Sequence, residues 1–177
     1  MSEFIADLKK IKETRAQPHE KGAVTENYKA DLKAVIKVLN DLLATEIVCV
    51  LRYKRHYFMA KGIHAESVAA EFTQHAAEEQ QHADQIAERI TQLGGEPDFS
   101  PEGLSTRSHA EYVEGDSLEE MIKEDLVAER IAIDSYREMI SYLGEEDPTT
   151  RRMLEEILAK EEKHADDLAR LLEGLGH

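Results

Sequence analysis

Apolar residues recur at intervals of three and four along most of the chain and do not alternate with polar ones, so the pattern predicts long helices and no strands. A first long helix is expected from about Asn27 to Lys61. Its apolar stripe is Leu32, Val35, Leu39, Leu42, Leu43, Val50, Tyr53 and Tyr57, and Gly62 ends it. A second, from about Glu66 to Leu93, carries Val68, Phe72, Ile86, Ile90 and Leu93, and Gly94-Gly95 supply a left-handed stop. The third opens on the capping box Ser117-Leu118-Glu119-Glu120 and runs to Leu143, closed by Gly144. The fourth starts at Asp147-Pro148, Asp as cap and Pro in the first turn, and ends near Leu172. Ahead of these, residues 1–26 form a leader in which Phe4, Ile5, Leu8 and Ile11 share one face, a short amphipathic helix interrupted by Pro18 and Gly22.

Loop lengths predict the topology. The first and second helices, and the third and fourth, are joined by about four residues, so each pair is an antiparallel hairpin. Between the hairpins lie the 23 residues 94–116, with Pro97 and Pro101. A helix of 28 residues is about 42 Å long, and 23 extended residues reach about 75 Å. The connector can therefore run the length of the bundle and set the third helix parallel to the second. The expected fold is all-α, a four-helix bundle over residues 27–177 with one long crossover between helices two and three.

The stripes are not wholly apolar. The second reads Val68, Phe72, His75, Glu79, His82, Ile86, Ile90, and the fourth reads Leu154, Ile157, Glu161, His164, Leu168, Leu171. Each carries a Glu-x-x-His at mid-helix, a spacing that puts both side chains on one face. The flanking Ala77, Ala83, Asp84 and Ala87 match Ala159, Ala165, Asp166 and Ala169, which reads as an internal duplication of a helical hairpin. Glu46 sits mid-stripe in the first helix and Glu129 in the third. Glu46 and Glu79 are equidistant from the Gly62 turn, and Glu129 and Glu161 from the Gly144–Pro148 turn, so each hairpin presents two Glu and one His at one level. Four unpaired buried carboxylates would repel and take up protons. Two divalent cations would cancel the four charges, and two imidazoles complete the ligand set. Oxygen with imidazole nitrogen suits iron, manganese or zinc. Tyr53 and Tyr136 each follow a ligand Glu by seven residues and read equally well as hydrogen-bond or redox partners of the metals or as core tyrosines. His56, His64, His75 and His109 are expected at the surface or behind the ligands, and Glu78 and Glu162 to face solvent or an interior surface.

Charge and cysteine usage narrow the function. Lys plus Arg number 22 against 37 acids, a net charge of −15. That opposes a main role in gripping phosphate backbones. A single cysteine, Cys49, precludes an internal disulfide framework, a zinc ribbon or a rubredoxin-type iron site. The longest uncharged apolar run, Ile47 to Leu51, is far short of a membrane span, and the charged N-terminus has no signal core, so a cytoplasmic location is expected.

The sequence resembles the bacterioferritins and the bacterioferritin-like Dps proteins of the ferritin-like superfamily. The carrying residues are Glu46 with Tyr53, Glu79-x-x-His82, Leu126-Val127-Ala128-Glu129, and Ile157-Leu158-Ala159-Lys160-Glu161-x-x-His164. The resemblance implies two iron ions within one subunit, held by Glu46, Glu79, His82, Glu129, Glu161 and His164, and a hollow shell of subunits storing ferric mineral. Three departures qualify it. Gln80 stands where bacterioferritins place a haem-binding Met, so no haem is expected. Only 13 residues follow His164, too few for the fifth helix of 24-subunit shells, which favours a 12-subunit shell. The long crossover is similar to that of Dps-like thioferritins, whose paired cysteines are missing.

The resemblance implies a ferroxidase in which Fe2+ is oxidised by O2 or H2O2, with Glu79 and Glu161 bridging two ions and Glu46 and Glu129 terminal. A di-metal peroxidase or manganese catalase on the same bundle is an alternative. So is a Dps-type DNA-protecting protein, although residues 1–29 hold six basic against five acidic residues and offer little grip on DNA.

Overall fold

The computed structural model describes residues 22–63 and 65–175. The leader helix expected around Phe4–Ile11, and His64, lie outside the described residues. Five helices follow: α1 Leu32–Met59, α2 Ala65–Gln92, α3 Leu104–Arg107, α4 Leu118–Leu143 and α5 Pro148–Leu175. No strand occurs among the described residues.

Helix α1 begins five residues later than its periodicity suggests, because Asp31 accepts a hydrogen bond from the Ala34 amide at 3.1 Å and fixes the N-cap there. Ser117 caps α4 through the Glu120 amide, as the capping box requires. Asp147 caps α5 through the Thr150 amide at 3.0 Å and also binds Arg89 at 3.0 Å and the Tyr28 hydroxyl at 2.9 Å. The expected cap is thus a hub that ties the second hairpin's turn to the end of α2. The short α3 lies inside the crossover, where no helix is expected from the sequence. Tyr57 departs from its predicted stripe and is exposed.

The crossover runs beside α1 in the same direction. Asn40 meets Glu96 and Asp98, Thr45 meets His109, Arg52 meets Glu111, and His56 meets Val113. Partners ascend together on both segments. The connector therefore carries the chain back to the end where α2 starts, and α4 runs parallel to α2 and antiparallel to α1. Helix α1 packs on α2 and α4, and α5 on α4 and α2.

A buried ionic clasp holds this arrangement. Arg52 Nε donates to Asp125 Oδ1 at 2.7 Å, His56 Nδ1 stands 2.8 Å from Asp125 Oδ2, and His56 Nε2 lies 3.1 Å from the Val113 carbonyl. Arg52, His56 and Asp125 are all buried, so of the two placements expected for His56, at the surface or behind the ligands, the surface one does not hold. Removing one partner of such a group strands a desolvated charge. Asp125→Ala is expected to lower stability by about 3–5 kcal/mol, read as a reduced urea midpoint at fixed protein concentration; an unchanged midpoint would show the clasp to be dispensable.

The apolar core is divided in two. One half gathers Val35, Leu39, Leu42, Ile86, Ile90, Leu143 and Leu154, and the other Val68, Phe72, Ile122, Leu126 and Leu168. Between them lies a layer of buried polar side chains.

Candidate metal centre

Each of the four long helices sends a carboxylate into that layer: Glu46 from α1, Glu79 from α2, Glu129 from α4 and Glu161 from α5, each 1% exposed. His82 and His164 follow Glu79 and Glu161 by one turn and are buried with them. The six residues fall into two overlapping groups. Ligand atoms of Glu46, Glu79, His82 and Glu161 lie within 4.8 Å of one another, and so do those of Glu79, Glu129, Glu161 and His164. Glu79 and Glu161 belong to both groups, while Glu46 and Glu129 close opposite ends.

The donor atoms outnumber their protein partners. Glu46 Oε2, Glu79 Oε2, Glu129 Oε2, Glu161 Oε1 and His82 Nδ1 are buried without a hydrogen-bond partner among the described residues. His82 Nδ1 lies 2.8 Å from Glu161 Oε1 and 3.4 Å from both Glu46 Oε2 and Glu79 Oε2, clustered with them but aligned with none. Leaving such groups unsatisfied is costly. Their convergence fits divalent cations bound by oxygen and nitrogen.

The two tyrosines act across the bundle. The Tyr53 hydroxyl of α1 donates to Glu129 Oε1 of α4, and the Tyr136 hydroxyl of α4 donates to Glu46 Oε1 of α1. Each thus fixes the carboxylate of the opposite hairpin and turns its second oxygen to the layer. Glu78, expected to face solvent or an interior surface, is half-buried, and its Oε2 sits 2.5 Å from His164 Nε2. His164 Nδ1 lies 3.1 Å from Glu79 Oε1. His75 is buried too, its ring stacked on His164 with centroids 4.0 Å apart. His109 and Glu162 are exposed, and Glu162 pairs with Arg137. Gln80 is exposed and donates to Asp84.

Electrostatics follow from this crowding. Burial, then repulsion from Glu79, raises Glu46 and Glu161 well above the usual carboxyl range. Burial and the Glu79 charge also raise Glu129. Burial pushes Glu79 upward as well, but its close contacts with Glu46, His164 and His82 outweigh it and hold this carboxyl well below its usual value. Burial disfavours charge on His82, yet its contacts with Glu46 and Glu79 push it up to about 10. His164 rises against burial to about 9 through Glu79 and Glu129. His75, by burial and the neighbouring His164, falls to about 4. Without metal, then, protons are shared among the carboxylates and two histidines to keep the layer near neutrality. Cys49 is buried beside Arg52, and burial raises its thiol well above the ordinary range.

A family model described as a ferritin-like domain matches residues 36–176. The chain belongs to the ferritin-like family. This ferritin-like chain is 30% identical over 136 residues to the bacterioferritin of Desulfovibrio desulfuricans, covering 76% of this chain and 72% of that one. It is 35% identical over 144 residues to the nutrient stress-induced DNA-binding protein of a Nostoc species, covering 78% and 77%. Among solved structures, the bacterioferritin-related protein of Bacteroides fragilis, described as a dodecameric thioferritin, superposes with a TM-score of 0.81 at 31% identity, covering 84% of this chain and 89% of that one. Dps from Thermosynechococcus elongatus shares the fold, with a TM-score of 0.76 at 21% identity over 79% of this chain and 90% of that one. No described helix of the ferritin-like chain is long and apolar enough to cross a membrane.

Proposed function

We propose that this protein is an iron-storage and detoxification ferroxidase, taking up two Fe2+ ions per subunit and passing them as Fe3+ into a shell of twelve subunits. The observation that carries the reading is the buried layer of four carboxylates and two histidines with five unpartnered donor atoms. Two Fe2+ ions match the layer's four potential negative charges. Their oxidation releases two electrons, which with two protons reduce O2 to H2O2, or H2O2 to two waters. Gln80 offers no thioether to a haem, and none is part of the proposal.

The chain's own groups have separable tasks. Glu79 and Glu161 lie between the two ion positions, since both donor groups share them. Glu46 and Glu129 each close one end, aimed by Tyr136 and Tyr53. Glu78 accepts the His164 Nε2 proton and so turns Nδ1 to the layer, the arrangement by which an outer carboxylate fixes a ligating imidazole. The net charge of −15 favours accumulation of Fe2+ around the protein.

Size exclusion with light scattering, read with iron content on the same peak, tests the assembly. Twelve copies of a 20.1 kDa chain carrying two irons each are expected; a small oligomer loaded with manganese would redirect the reading to peroxidase or catalase chemistry. Tyr53→Phe and Tyr136→Phe should each lower the Fe2+ oxidation rate by about 10–100-fold, the usual effect of losing an outer partner, with helix content unchanged. Rates equal to wild type would make both simply core tyrosines. The likeness to the Nostoc DNA-binding protein favours DNA protection as a second reading. A plasmid mobility shift that weakens with salt would support it; no shift at low salt would remove it.

A further inference from the structure

We propose that Glu71, His75 and Asp167 form a third divalent-metal site, outside the dinuclear layer and open to solvent, which takes a first-row ion such as Fe2+ before it reaches the layer. The site stands on its own donor geometry and does not depend on the ferroxidase reading; only its role in staging Fe2+ does.

Glu71 and His75 are four residues apart on α2 and share a face. Asp167 faces them from α5. His75 is 0% exposed, whereas the Glu71 and Asp167 side chains are 36% and 21% exposed, so the imidazole forms the floor of a cleft with a carboxylate on each side. Its Nε2 has no hydrogen-bond partner among the described residues. That nitrogen lies 3.7 Å from Glu71 Oε2 and 3.8 Å from Asp167 Oδ2, too far for a hydrogen bond to either.

Hydrogen bonding on the other side of the ring fixes what Nε2 carries. His75 Nδ1 lies 3.2 Å from the Tyr53 hydroxyl oxygen. Tyr53 gives its own proton to Glu129, so its oxygen accepts here and the His75 proton sits on Nδ1. That tautomer leaves Nε2 unprotonated and near both carboxylates. The three donor atoms lie within 4.8 Å of one another. Donors about 2.0–2.2 Å from a common ion stand about 3–3.6 Å apart, so His75 Nε2 needs to close on each carboxylate oxygen by only a few tenths of an ångström for one ion to be shared. Nitrogen with two carboxylates, partly open to water, suits first-row divalent metals.

The other hairpin does not repeat these groups. The counterparts of Glu71, His75 and Asp167 in the other hairpin are Met153, Ile157 and Gln85. The third site thus exists at one end of the layer only. It is joined to that end twice, by the stacking of His75 on His164 and by the chain from His75 through Tyr53 to Glu129. Lys163, half exposed, rests its ammonium on Asp167 Oδ2. It occupies the cation's side of the cleft in an i,i+4 surface pair of the kind that is weakly held.

Anaerobic titration of the chelator-stripped full-length protein with Co2+, followed by calorimetry and visible absorption, tests the site. Wild type should bind three Co2+ per subunit. The double variant Glu71→Gln, Asp167→Asn should bind two, and Glu79→Ala, Glu161→Ala should retain one. Lys163→Gln should tighten the third equivalent, because it removes the competing ammonium. Saturation of wild type at two ions, with neither the double variant nor Lys163→Gln changing the curve, would overturn the third site. If the dinuclear reading fails instead, wild type should bind a single ion that the Glu71/Asp167 double variant abolishes.

Discussion

Replacing Glu79 and Glu161 together by alanine is expected to abolish rapid Fe2+ oxidation, an effect larger than the about 10–100-fold typical of losing an outer partner. These two carboxylates are the members common to both donor groups. Their loss halves the negative charge available to two divalent ions and removes the oxygens lying between the two positions. What remains, Glu46 with His82 and Glu129 with His164, is at best two separate, under-charged half-sites. The isosteric pair Glu79→Gln, Glu161→Gln separates chemistry from packing, since it keeps the volume of both side chains. It should lose oxidation to the same degree while its circular dichroism and assembly match wild type. The readout is ferric absorbance after anaerobic Fe2+ loading and exposure to O2 or H2O2. Oxidation at the wild-type rate in both variants would defeat the ferroxidase proposal, because no other buried cluster among the described residues gathers four carboxylates.

Why the layer is legible in the sequence while its surroundings are not is a matter of helix geometry. Period and turn position place Glu46 against Glu79 and Glu129 against Glu161, because residues equidistant from a short antiparallel turn must be level. The single crossover follows from loop length in the same way. Contacts between hairpins are not set by period. Tyr53 and Tyr136 are visible as stripe residues, but that each serves the Glu of the other hairpin depends on how α1 and α4 face each other. The Arg52–Asp125–His56 clasp is not anticipated, although a signal for it exists: Arg52 and His56 are one turn apart on α1, and Asp125 precedes Glu129 by one turn on α4. Without the crossover laid beside α1, nothing in the spacing shows that Glu111 and Val113 bring the carbonyls that complete the clasp. The role of Glu78 is hidden for a related reason. It lies one residue off the stripe, and only the approach of α5 brings His164 within its reach.

The stability of the protein with chelator present should fall as pH rises, and bound metal should reverse that fall. In the folded chain Glu46, Glu129 and Glu161 sit above the ordinary carboxyl value of 4.5, and His82 and His164 sit at about 10 and about 9 against 6.5. Above pH 4.5 the unfolded chain therefore gives up protons that the folded chain keeps at these groups, so each of them costs the folded state relative stability as pH rises, while His75, held at about 4, opposes them only up to about pH 6.5. The histidine contribution is complete below pH 6.5 and is lost as pH climbs through 9 and 10. Glu79 does not oppose the trend. Its carboxyl is held below 4.5, so what it contributes is already present above that pH and is lost only in acid. Each tenfold difference in proton affinity between the folded and unfolded chain is worth about 1.4 kcal/mol. The loss between pH 6 and pH 9 is therefore on the order of several kcal/mol, or about 10 °C in Tm for a chain of this size. Divalent ions bound in the layer would take the place of the shared protons, so binding should release protons and become more stabilising as pH rises. Differential scanning calorimetry with EDTA, and with redox-inert Zn2+, at pH 6, 7.5 and 9 reads both trends. The expected pattern is a falling Tm with EDTA and a zinc-induced increment that widens with pH. A Tm with EDTA that holds level or rises across this range would mean that the buried carboxylates are neutralised by something other than the protons and histidines of the layer.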